Sequence, residues 1–479
     1  QLDITATGFD NRGGRIIATG TGGNTLRVQG TLDNGNGGTL ASNGNLDIHA
    51  RTFGNAGGTV QQAGSGSLVI TTQDLTGAGG TLLSNGSLEL QGDTLDLRNG
   101  TTTAQRISID GDTVITAGGQ LSALGTQALQ LQARSLLDNT GGTLGSNGAI
   151  DVHAGRFVND HGKLIAAGDA ASAIRAAQLE NRSGSISANG NLRIEAQTLS
   201  GQGGSIGAAR ALSLQGGSLD LRGGSVAAEQ LDIVADSLDN SAGALRATGS
   251  GTLALQVSGR LANDAGTIAS NGAQRIEAGE LSNRGGTLSS AGSATTELHV
   301  AGLFDNSNGV LASNGAALKI DAGHMANVKG TLSHAGTQGL LLRTGQLDGQ
   351  GGSIASAGGI TLQAGSVDHR GATLQAERIA LDAQSFDNRA GKVIATGAEG
   401  STINVVGTLD NGEGGLLASN GDLSIQAAVF GNAGGTVQHA GEGVLSIDAG
   451  TLNGTGGTLV SNGSLLLKGT TTDLRAGIT

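Results

Sequence analysis

One corner motif recurs along the whole chain. Leu32-Asp33-Asn34 returns as Leu137-Asp138-Asn139, Leu238-Asp239-Asn240 and Leu409-Asp410-Asn411, with degenerate copies such as Phe53-Gly54-Asn55, Leu261-Ala262-Asn263 and Met325-Ala326-Asn327 between them. The period is about 21 residues, and a fixed period of this size means a solenoid or array. Thr31 to Ala50 shows the internal logic of one coil. Leu32 opens a corner ending in Gly37-Gly38, Thr39-Leu40-Ala41-Ser42 alternates as a short strand, Asn43-Gly44 signals a turn, and Leu46-Asp47-Ile48 alternates again. The inward residues are Leu32, Leu40, Leu46 and Ile48. Four apolar side chains can be buried only against the coils above and below, so a single coil is unstable and a stack is not. Period-two alternation and glycine every five to eight residues argue against helix. Equivalent strands in successive coils run parallel, and parallel crossovers are overwhelmingly right-handed. The expected fold is an all-β, right-handed parallel β-helix of about 22 turns of 19–23 residues. At about 4.8 Å per coil, such a stack is roughly 105 Å long.

Composition narrows the function classes. The 479 residues include 88 glycines but no proline, cysteine, tryptophan or tyrosine. Without proline the chain is not collagen, and without cysteine it has neither disulfides nor thiolate-held zinc. A net charge of −12 opposes nucleic-acid binding, which needs a basic face. No apolar run is long enough to span a membrane as a helix.

The second residue after the corner anchor is asparagine at Asn11, Asn34, Asn55, Asn139, Asn159, Asn181, Asn240, Asn263, Asn283, Asn306, Asn327, Asn388, Asn411 and Asn432. At Gly77, Gly201, Gly349 and Gly454 it is glycine. The column reads either as a polar binding strip or as a structural feature. Because Asn and Gly both tolerate left-handed backbone, the structural reading places a left-handed bend here, with stacked amides along the column. On that reading Asn283→Gly is nearly neutral. All six phenylalanines (Phe9, Phe53, Phe157, Phe304, Phe386 and Phe430) occupy the anchor before the column, where leucine otherwise stands, so they read as core.

Two finer patterns are superposed. Tight Ser-Asn-Gly turns, as at Ser42 to Gly44 and Ser270 to Gly272, alternate with longer loops. A third kind of coil carries Leu95-Asp96-Leu97-Arg98, Leu219-Asp220-Leu221-Arg222, Val367-Asp368-His369-Arg370 or Asp473-Leu474-Arg475 and lacks the asparagine. These coils read as seams between duplicated sub-blocks, 1–111, 112–235, 236–383 and 384–479, of one continuous β-helix over 1–479 with no linker.

Candidate chemistry is sparse. Of eight histidines only His324 and His334 share a coil, with no carboxylate close by in the intervening sequence. Corner carboxylates such as Asp33, Asp138 and Asp410 form a column broken at Gly54, Val158, Ala262 and Ala326, and the nine-residue calcium-roll pattern is absent. No catalytic, cofactor-binding or metal-binding residues are assigned, and no enzyme activity is expected.

The unit Leu-Asp-Asn-x-Gly-Gly-Thr-Leu-x-Ser-Asn-Gly-x-Leu-x-Ile-x-Ala resembles the haemagglutinin repeat of filamentous-haemagglutinin-type exoproteins, the secreted members of bacterial two-partner secretion. Leu32 to Ala50 and Leu137 to Ala154 fit it at nearly every position. The resemblance implies a stalk, secreted to the outer surface of a bacterial cell, of an adhesin or contact-dependent growth-inhibition effector. The partners it implies are an outer-membrane two-partner-secretion transporter and a receptor on a host or neighbouring cell. The alternative is that the shaft itself binds glycan or host protein through loops on alternate coils. Opening in a strand at Leu2-Asp3-Ile4 and stopping mid-turn at Thr479, the chain is expected to be an internal piece of a longer protein.

Overall fold

The computed structural model describes residues 1–479. It contains 43 strands and no helix, and its parallel sheet forms a β-solenoid of about 22 coils. The chain divides into two compact units, Gln1–Ala235 and Asp236–Thr479.

Within the first unit, one coil comprises a short strand, Thr39–Ser42, and a long bent one, Leu46–Gly54. The short strand pairs in parallel with Arg15–Ala18 before it and Thr59–Gln62 after it. The long strand pairs with Asn24–Asp33 and Ser67–Thr76, placing Leu46 on Leu68, Ile48 on Ile70 and Phe53 on Leu75. Alternate residues therefore meet their own equivalents one coil away. Leu32, Leu40, Ile48 and Phe53 are completely buried. The corner anchor is not a separate element, as the sequence suggested, but the last inward residue of the long strand. Coils differ in length in the bend before it, where the register shifts between Val28 and Thr31. That bulge absorbs an extra residue without turning the apolar face outward.

The second unit repeats the plan. Gln274–Ser282 pairs with Thr296–Asp305, stacking Ile276 on Leu298 and Leu281 on Phe304, while Thr267–Ser270 pairs with Thr287–Ser290. Phe53, Phe157, Phe304, Phe386, Phe430 and Met325 are buried anchors, and Phe9 in the first coil is half-buried.

The left-handed bend lies elsewhere than expected. None of the fourteen column asparagines has a positive φ; the left-handed residue is two positions later, as at Gly285 (φ 61°), Asn308 (φ 56°) and Ala265 (φ 54°). The column residue instead opens a β-turn in which Gly286 N–H donates to Asn283 C=O (3.1 Å). Gly286 is needed for space, not for torsion: a Cβ there would sit 2.1 Å from the Asn263 carbonyl oxygen of the preceding coil. The Ser-Asn-Gly segment is likewise no hairpin turn, since its strands run parallel to their neighbours. Gly44 N–H donates to Ser42 Oγ (3.0 Å), and a Cβ on Gly44 would lie 1.9 Å from Gly22 O.

The two glycines of one pair should therefore respond differently. Gly285→Asn keeps a residue that tolerates positive φ and should shift the urea midpoint little. Gly286→Ala forces backbone apart between coils and should cost at least about 2 kcal/mol.

Candidate functional site

The column is an amide ladder inside the solenoid. Asn283 Nδ2 donates to Asn306 Oδ1 at 2.7 Å and shares its remaining donor capacity between Gly286 O (3.3 Å) and Val310 O (3.2 Å). Its own Oδ1 accepts from Asn263 Nδ2 at 2.7 Å. The same head-to-tail bond runs Asn11–Asn34–Asn55, Asn139–Asn159–Asn181, Asn240–Asn263–Asn283–Asn306–Asn327 and Asn388–Asn411–Asn432. Each run ends where the next coil has glycine, at Gly77, Gly201, Gly349 or Gly454. There the last amide turns to backbone carbonyls, as Asn327 does to Gly330 O and Ser353 O. Thr116 Oγ1 and His369 Nδ1 supply the first donor to Asn139 and Asn388, at 3.0 and 2.7 Å, whereas Asn240 Oδ1 has no partner.

Asn11 is 7% exposed and no other member exceeds 1%. A binding strip is thereby ruled out for this column, since a ligand in solvent cannot reach it. A buried primary amide without partners is costly, and an identical amide one coil away at the same height satisfies it.

The residues around the column have equally local duties. The corner aspartate caps the turn: Asp33 Oδ1 accepts from Gly35 N–H and Asp138 Oδ1 from Thr140 N–H, both at 2.9 Å. In the coils lacking asparagine, Leu97 and Leu221 fill the column with apolar bulk, and the flanking Asp and Arg pair across the turn, Asp368 with Arg370 at 2.6 Å and Asp473 with Arg475 at 2.7 Å. The Arg475 guanidinium, helped by backbone N–H donation, holds the Asp473 carboxyl down at about 2. These pairs are solvent-exposed and contribute little to stability. A second asparagine series lies outside, where Asn43 Nδ2 reaches Thr19 O (2.9 Å) and Asn271 Nδ2 reaches Thr248 O (2.8 Å) across to the preceding coil. Sequence reading missed both the capping role and this external series; the fixed place of Asp before Asn, and of Asn between Ser and Gly, was the available signal.

The histidines scatter. His324 finds its carboxylate in the next coil, Nε2 to Asp348 at 2.9 Å, a partner invisible within its own coil. His334, His369 and His439 are buried, while His49, His153, His161 and His299 are exposed. No group of three or more His, Asp or Glu side chains could hold a metal ion. A surface cleft of about 530 Å³ in the second unit is lined by Lys319, Gln338, Thr361, Glu377, Arg378 and Glu399 among others.

Parallel coils closed on an aliphatic interior, registered by an internal amide ladder, define a β-solenoid repeat protein. The haemagglutinin repeat model matches in ten overlapping segments, from residues 1–36 to 440–479, and the chain belongs to that family. It is 31% identical over 183 residues to Toxin CdiA of Yersinia pestis, covering 35% of this chain and 6% of that protein. It is 30% identical over 216 residues to Deoxyribonuclease CdiA of Dickeya dadantii, covering 43% of this chain and again 6% of the relative. The chain thus corresponds to a small fraction of either curated relative. No solved structure is a significant match.

The ladder reverses the expectation for Asn283→Gly. Glycine retains the turn but removes the amide, leaving Asn263 Nδ2 with only its weaker bonds to Gly266 O and Thr287 O and Asn306 Oδ1 without a donor. A loss of about 2–4 kcal/mol is expected by urea denaturation. Asn327→Gly, at the end of a run, should cost about 1 kcal/mol less, because no downstream amide is deprived.

Proposed function

We propose that this region is a structural stalk of a secreted cell-surface exoprotein, projecting a distal receptor-binding or effector region carried elsewhere in the parent. The observation carrying the reading is that the haemagglutinin repeat runs from one end of the chain to the other while its most regular polar groups are consumed inside the coils. What the column chemistry supplies is register between coils, a mechanical property. On this reading the region is not an enzyme. The deoxyribonuclease in one relative's name would reside outside the 6% of that protein matched here. Export through an outer-membrane two-partner-secretion transporter, residence on the outer cell surface and engagement of a receptor on a host or neighbouring cell follow from the same reading. The lack of cysteine suits passage as an extended chain, since no disulfide can form to obstruct it.

A second reading, that the shaft itself is adhesive, is favoured by the cleft around Arg378. There the two-residue loop Glu377-Arg378 is shorter than its neighbours, and hydroxyl, amide and charged groups converge without an aromatic platform. A glycan bound there should be lost on Arg378→Ala without loss of folding, measured by retention on a glycan array.

A deletion separates the two. Joining Leu95 to Asp220 removes residues 96–219, six coils of the first unit, and restores a Leu-Asp-Leu-Arg corner at the seam. As a spacer, the shortened stack should fold, lose about 29 Å at about 4.8 Å per coil, and leave the purified parent's affinity for its receptor unchanged. Loss of that affinity in a folded deletion variant would place recognition in the deleted coils and end the pure spacer reading.

A further inference from the structure

The two units differ in their buried histidines. Gln1–Ala235 has no buried histidine, whereas Asp236–Thr479 has His334, His369 and His439, at 3%, 2% and 1% exposure. His334 ends the strand Thr331–His334 in a column where the adjacent coils carry Ser313 and Ser356. Neither of its ring nitrogens makes a well-formed hydrogen bond, although the Ala316 and Ser313 backbone lies close by, and the Ser356 Oγ is unpartnered. His369 replaces asparagine in the amide ladder. Its Nδ1–H donates to Asn388 Oδ1, its ring lies 5.8 Å from that of Phe386, and its Nε2 is unpartnered. His439 occupies the His334 position in another coil, between Ser419 and Ser461.

Charges facing these rings are few. Around His334 the groups that ease protonation are the backbone of Ala316 and Ser313, with no charged side chain contributing. Around His369 they are Asn388, the Thr373 backbone and the Asp368 carboxylate, which points outward and is already held by Arg370. In the next coil Asp387 is paired with Arg370 and Arg389.

We propose that Asp236–Thr479 contains an acid-labile section, whose coils around His334 and His369 loosen in mildly acidic medium while Gln1–Ala235 stays closed. Burial pushes both imidazoles below the usual histidine value, with the neighbouring acceptors offsetting this only in part. The sign follows. Both rings are harder to protonate when folded than when exposed. Stability is therefore complete above about pH 6.5 and falls as pH drops from there toward the depressed folded values. Each ring raises the local opening constant about tenfold per pH unit in that interval. Carboxylates held low by arginine occur in both units, Asp220 and Glu195 in the first and Asp387 and Asp473 in the second. They respond at lower pH and cannot produce a difference between units near pH 6.

The test is hydrogen exchange with mass spectrometry on the full chain at pH 7.5 and 5.5, corrected for intrinsic exchange rates. Opening constants of the coils holding His334 and His369 should rise about tenfold, while those of Gln1–Ala235 stay within twofold. The double variant His334→Ser, His369→Asn, which installs the residues found in neighbouring coils, should abolish the difference. Equal deprotection of both units, no deprotection, or deprotection that persists in the folded variant would overturn the proposal. Should the variant not fold, the ring C–H shifts of the wild-type histidines decide. Two buried imidazoles that stay neutral through pH 6 support it, and titration at the ordinary histidine value refutes it.

Discussion

A primary amide enclosed among leucine and isoleucine is costly unless its oxygen and both N–H groups are satisfied, and a second amide at the same height in the next coil does this along the axis. Asn283, bonded to Asn263 on one side and Asn306 on the other at 2.7 Å, is the complete case. The bond is short and buried, so a coil that slipped by one residue would lose it and also turn its leucines outward. Aliphatic stacking supplies most of the driving force but is non-directional. The amide supplies the register that such stacking leaves loose. The rest of the corner serves this contact: the aspartate caps the turn, the left-handed residue swings the chain round, and the following glycine lets the preceding coil's asparagine carbonyl approach.

The outer surface is by contrast under weak constraint. Arg–Asp pairs within a corner, as in Asp10–Arg12, are exposed and largely replaceable. Loop length varies between coils while the interior does not, because an added residue in a loop or at the bulge near Val28 and Thr31 leaves the inward positions unchanged. Interior chemistry specifies the fold, and loops are free to diverge. This is why clefts such as that around Arg378 are the places where an additional binding role could arise.

Most of the fold was legible because burial here follows simple alternation. Leu40, Leu46 and Ile48 were assigned inward from their spacing, and all three are buried. The asparagine column and the stacking of its amides could be read, but not the reason for its exchange with glycine. Asn and Gly exchange at that position, and sequence offers two physical reasons for such exchange, backbone torsion and tolerance of a missing side chain. The first was preferred; the structure shows the second, with glycine marking the end of a hydrogen-bonded run. Glycines likewise concealed their cause. Gly285 stands for torsion and Gly286 beside it for contact across coils, a distinction that depends on the preceding coil's carbonyl and leaves no mark in a dipeptide. The pairing of His324 with Asp348 was hidden for the same reason: in a solenoid, spatial neighbours lie about one repeat apart.

The ladder is also directional and interrupted, which bears on how force would be shared. Each run of three to five asparagines donates from one coil to the next and ends at glycine. Beyond it stands Leu97, Leu221, His369 or Leu474, where packing or a single ring replaces the amide chain. Within a run, opening one coil breaks bonds on both sides, so the coils resist together. Between the Gly77 and Leu97 coils no column side chain bonds from one to the next, and backbone pairing and apolar contact hold them. Regions without such a bond open at lower cost than those with it. A stalk built this way would yield first at its asparagine-free coils and keep each ladder run intact, so the Leu-Asp-Leu-Arg corners would mark its compliant positions.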